Sequence, residues 1–269
     1  WLASPQSRAL STNVGMNRVN WNLQYDDPPA FRHDLENQMN MVAGSTTAGP
    51  HGPQVIPGVY TLKLTVDGQV YTRHVTVMND PRVGQSPQLM AALREQNRLT
   101  MLAYHGMADS YKGHDEVEDV RTKLASMMKT SLPADVASQA KTLDASLTKI
   151  GGVMPTNPFS FFRRPTPKPN EMHSFLMLNE DYNTMVSMMQ VGMDMAPTPT
   201  QIATWESDCH NYNRTVTAWN ALQKQQIVAF NALLAKDNLQ QLDVASSAKL
   251  ADPVCSFMPT RAKSASKSK

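Results

Sequence analysis

The sequence predicts an α+β chain, with a small strand-rich portion followed by an antiparallel helical bundle. Three observations carry that expectation. Residues 59–77, VYTLKLTVDGQVYTRHVTV, alternate in polarity with period two. Residues 17–25, NRVNWNLQY, do so again, and from Ser86 onward the apolar residues recur at helical spacing.

The first of these is a β-hairpin. Tyr60, Leu62, Leu64 and Val66 face one way and Val59, Thr61, Lys63 and Thr65 the other, as in a half-buried strand. Asp67-Gly68 supplies the turn, because Gly accepts positive φ and Asp bonds its own backbone. Tyr71, Arg73, Val75 and Val77 continue the return strand. A two-stranded ribbon is marginal in water, so it needs partners. The earlier segment offers one, with Val19, Trp21, Leu23 and Tyr25 alternating with Arg18, Asn20, Asn22 and Gln24. Trp21, Leu62, Leu64 and Val75 are therefore expected to be buried together. Three strands are few for a sandwich. Either further strands lie upstream of residue 1, or a small sheet lies against something else. The start at Trp1, without an initiator Met or a basic-plus-apolar leader, reads as the interior of a longer polypeptide.

Ser86-Pro87 reads as an N-cap followed by Pro at the first helical position. Leu89, Leu93, Leu102, Tyr104, Met107 and Tyr111, then Val117, Val120, Leu124 and Met128, describe one long helix that ends near Lys129 and is weakened at Gly106 and Gly113. After Pro133, the stripe Val136, Ala140, Leu143, Leu147 and Ile150 predicts a shorter helix closed by Gly151-Gly152. The segment 151–170 holds five prolines and reads as a crossing loop. Phe175, Leu178, Tyr182, Met185 and Met189 mark a third helix. The last runs from about Thr200 to Lys236, burying Ile202, Trp205, Cys209, Tyr212, Val216, Trp219, Leu222, Ile227, Phe230 and Leu234. Short connections between such helices favour antiparallel packing.

Composition narrows the function classes. Of 269 residues, 41% are apolar, enough for a substantial core, yet no apolar run is long enough to cross a bilayer. The formal charge is +2, and four of the Lys and Arg residues fall in the last nine, RAKSASKSK, which argues against a basic nucleic-acid surface. No Gly-rich phosphate loop, G-x-S-x-G or H-E-x-x-H occurs. His105 and Asp109 at i and i+4, with His114, Asp115 and Glu116 nearby, are compatible with a metal site, but they read more simply as a solvated helix face. Cys209 and His210 are neighbours on a helix and diverge, so they make no nucleophile–base pair. No catalytic residue, metal or cofactor is expected. Phe159, Phe161, Phe162, Arg163 and Arg164 form a candidate interaction loop, with loop anchoring onto the bundle as the plainer reading.

GMNRVNWNLQYDDPP, then GPQVIPGVYTLKLTVDGQVYTRHVTVMNDPRV, then MAPTPTQIATWESDCHNYNRTVTAWNALQK resemble the C-terminal region of secreted bacterial BNR-repeat or sortilin-type, glycosyl-hydrolase-like β-propeller proteins. The most specific matches are Gly15, Asn17, Arg18 and Trp21, the hairpin, and Asp80-Pro81-Arg82; no S-x-D-x-G-x-T-W box is present. The resemblance implies that the strands at 1–82 are a partial immunoglobulin-like β-sandwich, ahead of the helical bundle read at 83–250 and a polar basic tail at 251–269. It also implies an extracellular or periplasmic location and a propeller upstream in the same polypeptide or assembly. The expected role is a noncatalytic structural or interaction module with a protein or glycan partner. The alternative is an accessory substrate-binding part of a hydrolase whose active site lies in the propeller. Export would let Cys209 and Cys255 pair, folding the 255 segment back onto the last helix; the opposing reading has Cys209 as a small buried hydrophobe and Cys255 as an unpaired thiol.

Overall fold

A computed structural model describes residues 12–29, 51–154, 171–190, 194–243 and 250–258. Two antiparallel strands, β1 (Gly58–Val66) and β2 (Gln69–Val77), precede α1 (Pro87–Met127), α2 (Ala134–Gly151), α3 (Phe175–Gln190), α4 (Pro199–Leu222) and α5 (Val228–Lys236). A π-helical turn, Gln223–Ile227, joins α4 to α5 without a break.

The helices start where local chemistry says they should. The Ser86 hydroxyl accepts the Leu89 N–H and Pro87 occupies the first turn, where its missing N–H costs nothing. Thr198 and Gln201 form a reciprocal capping box at the start of α4. In the last long helix the interval from Leu222 to Ile227 is five residues, too many for an α-helical stripe. The π turn absorbs the excess, so Trp219, Leu222, Ile227, Phe230 and Leu234 all reach the core.

The packing is that of three rods. At 41 residues, α1 is about 60 Å long and spans the bundle. Against it, running the other way, lie α2 and α3 in series. Arg121 pairs with Asp144 and His114 reaches the Gly151 carbonyl on the α2 side. On the α3 side, positions 113, 106 and 96 of α1 meet Phe175, Tyr182 and Met189 in that order. The chain leaves this rod at Gly152 and re-enters it at Ser174. A β-carbon on Gly152, whose φ is +88°, would lie 2.7 Å from Ser174 Oγ and Leu176 Cβ, so the two helix ends abut. The third rod, α4 to α5, runs parallel to α1. Trp219 Nε1 donates to Glu116, Phe175 stacks edge-on against Tyr212, and α5 continues against α2.

Gly106 and Gly113 have a structural reason. A β-carbon at either position would sit 2.7 or 2.6 Å from the rings of Tyr182 and Phe175. Both pairs are seven residues apart, two turns on each helix, so two aromatic side chains seat in two notches and bring α1 and α3 together.

The immunoglobulin-like β-sandwich expected over 1–82 is not formed. Among the described residues the sheet has two strands, in the register Gly58↔Val77 to Val66↔Gln69. The Asp67-Gly68 turn has φ of 49° and 78°, as the sequence indicates for a two-residue hairpin. The NRVNWNLQY segment does not join it. Its chain bends at Leu23, φ 60°, and pairs with residues 53–55 through Tyr25 N to Pro53 O, Val55 N to Leu23 O and a single Gln24–Gln54 bridge. Pro28, Pro53 and Pro57 flank that contact and cannot donate to a longer ladder. The common burial expected of Trp21, Leu62, Leu64 and Val75 fails with it. Trp21 is half-buried against Tyr60 at the hairpin base, whereas Leu62, Leu64, Val66 and Tyr71 are 49, 46, 47 and 53% exposed. The expected bundle is present, with Trp205 and Trp219 buried as anticipated.

Candidate functional site

The described residues offer three places where chemistry or recognition could reside. The first is the outer part of the hairpin. Cross-strand register puts Leu62, Leu64 and Val66 on the same face as Tyr71, and all four are open to solvent. The same face at the base is covered, because Tyr60 packs on Trp21 with ring centroids 5.4 Å apart and its hydroxyl donates to Ile56 O at 2.7 Å. The ribbon is therefore anchored at one end and projects an apolar strip from the other.

The second is the disulfide. Cys209 and Cys255 are bonded, with Cα atoms 5.4 Å apart, which selects between the two readings the sequence left open. The bond fixes residues 250–258 onto α4. Phe257 is buried edge-on against Trp205, its N–H donates to Glu206 at 2.9 Å, and the Arg98 guanidinium covers its other surface 3.8 Å from the ring centre. Arg98 also donates to Met258 O, and Asn213 to Pro253 O. A nine-residue stretch with a polar continuation is thus integrated into the fold by one covalent bond, one aromatic anchor and four directional contacts.

The third is polar and lies between α3 and α4. His173 on the approach to α3, Asp181 on α3 and Asp208 on α4 bring one ligating atom each to within 4.8 Å of one another. His173 Nδ1 is 2.8 Å from Asp181 Oδ2, and Asp208 is buried. The placement is fixed from behind. Thr215 Oγ1 donates to the His173 carbonyl at 2.6 Å, Ser174 Oγ accepts the Met177 N–H, and Cys209, next to Asp208, carries the disulfide. Burial pushes the Tyr182 hydroxyl far above its ordinary range, and Asp208, Asp109 and Asp181 push in the same direction.

The sequence-derived metal ligands do not assemble. His114 donates Nδ1–H to Gly151 O, Glu116 accepts from Trp219 at 3.1 Å, and His105 is exposed. Burial raises the Asp109 carboxyl, with His105 and Lys112 opposing; burial also raises Glu116, opposed first by the Trp219 bond. Phe159, Phe161, Phe162, Arg163 and Arg164 lie outside the described residues. Sequence reasoning missed His173, Asp181 and Asp208, because eight residues separate the first two across a helix boundary and the third comes from another helix. Only the direction of α4 against α3 unites them.

Among the described residues no helix is long and apolar enough to cross a membrane. Searches with this chain against protein-family models, curated proteins and solved structures returned no match.

Proposed function

We propose that this chain is a noncatalytic structural and interaction module of a larger secreted β-propeller protein, and that its hairpin docks on the propeller. The observation that carries the reading is the strip of Leu62, Leu64, Val66 and Tyr71, four large apolar side chains left open on a ribbon whose base is held by Trp21. Apolar side chains gathered on one face mark association surfaces, and a two-stranded ribbon whose outer edges are unpaired among the described residues also offers backbone donors and acceptors to a neighbouring sheet. Export is supported by the Cys209–Cys255 bond, since disulfides persist in oxidising compartments. A propeller is the occupant implied by the motifs around Trp21, the hairpin and Asp80-Pro81-Arg82. The accessory substrate-binding reading rests on the Phe159–Phe162 loop, and no observation on the described residues favours it.

The test is site-specific cross-linking. A photo-reactive residue at Leu64 in the native polypeptide is expected to label a propeller peptide. A label confined to the bundle, or a native polypeptide without a propeller, overturns the proposal.

A further inference from the structure

We infer that His173, Asp181 and Asp208 form a binding site for one divalent transition-series cation, of the Zn²⁺ or Mn²⁺ class, that clamps α3 to α4. The three donors come from three separate pieces of chain: the re-entry segment after the interrupted rod, the second turn of α3 and the middle of α4. The three ligating atoms lie within 4.8 Å of one another. Donors around a tetrahedral Zn²⁺ at bond lengths of about 2.0–2.2 Å are about 3.3–3.5 Å apart, so the set closes by side-chain movements of about an ångström that also open the 2.8 Å His173–Asp181 contact.

The donor chemistry selects the class of ion. One imidazole with two carboxylates suits Zn²⁺ or Mn²⁺, whereas Ca²⁺ collects six to eight oxygens and Mg²⁺ retains most of its waters. Three protein donors leave a tetrahedral ion a fourth position for water. The support behind the donors is of the kind that ligands need. The backbone of His173 is tied to α4 through Thr215, and Asp208 precedes a disulfide-bonded residue, so neither donor has to be ordered at the moment of binding. The site also lies beside the break in the antiparallel rod, where Gly152 abuts Ser174. A clamp there joins the second half of that rod to α4.

The test uses the full chain, stripped with a chelator and titrated calorimetrically with ZnCl₂ and, separately, MnCl₂, with CaCl₂ and MgCl₂ as controls. Saturable binding of one Zn²⁺ or Mn²⁺ per chain is expected, accompanied by a rise in melting temperature, as required when a ligand binds only the folded state. His173→Gln and Asp181→Asn, both at partly exposed positions, are expected to fold and to weaken binding by at least about tenfold. Asp208→Asn should do the same where it folds. Absence of saturable Zn²⁺ and Mn²⁺ binding up to about 1 mM overturns the inference and leaves a His173–Asp181 ion pair. So does an affinity unchanged in His173→Gln, or a preference for Ca²⁺. None of these results bears on the propeller, so the two proposals stand or fall separately.

Discussion

At the residue scale, substitution at Gly113 distinguishes a notch from a mere weakness in α1. On an open helix face, Gly→Ala stabilises by about 1 kcal/mol. Here the new methyl meets the ring of Phe175, which is fully buried and cannot swing aside. Gly113→Ala is therefore expected to destabilise by about 1–3 kcal/mol in urea denaturation, and Gly106→Ala, against Tyr182, to do likewise. A gain in stability for both would show that the rings are not seated there. The same scale carries a pH dependence. Burial raises the Asp109 carboxyl, so its folded value lies above its unfolded one. The stability linked to it is fully present below the unfolded carboxylate pKa of about 4 and is lost as pH rises through the folded value. Asp109→Asn cannot ionise. Its melting temperature relative to the parent chain should rise between pH 4 and pH 8, and thermal scans across that range check the sign. The sequence marked Asp109 as a solvated face residue because i and i+4 spacing shows who shares a face of α1, not which helix covers it.

At the element scale, the disulfide and the hairpin make opposite predictions. Cys209 and Cys255 close a loop of 46 residues, and reduction or Cys255→Ser is expected to cost about 2–4 kcal/mol by freeing the unfolded chain. It should also release the Phe257 segment, detectable as faster proteolysis after residue 250 and a changed Trp205 emission. By contrast, Leu62→Thr with Leu64→Thr should leave the melting temperature of the bundle within the error expected of surface changes, about 0.5 kcal/mol. A large loss would place the hairpin tip in the core after all. The helices were legible from sequence because their signals are local. Ser86-Pro87 and the Gly151-Gly152 stop each act within one turn. The fate of NRVNWNLQY was not, because alternation is equally compatible with pairing to the hairpin or to residues 53–55. The choice between them was made by prolines that block a longer ladder and by the bend at Leu23. The π turn was hidden in plain view, in the five-residue interval between Leu222 and Ile227 that no α-helical stripe can hold.

At the scale of the whole molecule, one long helix serves as the spine against which an interrupted rod and a disulfide-braced rod are laid. Trp219 faces the long helix from the third rod, fully buried and bonded to Glu116. Trp219→Ala is expected to cost about 3–5 kcal/mol, a large share of the stability of a typical domain, as read from the denaturation midpoint. Against this rigid body the hairpin stands apart, and the proposed role depends on that contrast. Amide hydrogen exchange, run on the 269-residue chain and on the same chain within the longer propeller-bearing polypeptide that the proposal requires, measures it directly. In the chain alone, amides of residues 58–77 should exchange far faster than those of α1 between Leu99 and Leu124; in the longer polypeptide the hairpin amides should become strongly protected while α1 is unchanged. Equal exchange of the hairpin in the two proteins would contradict the account.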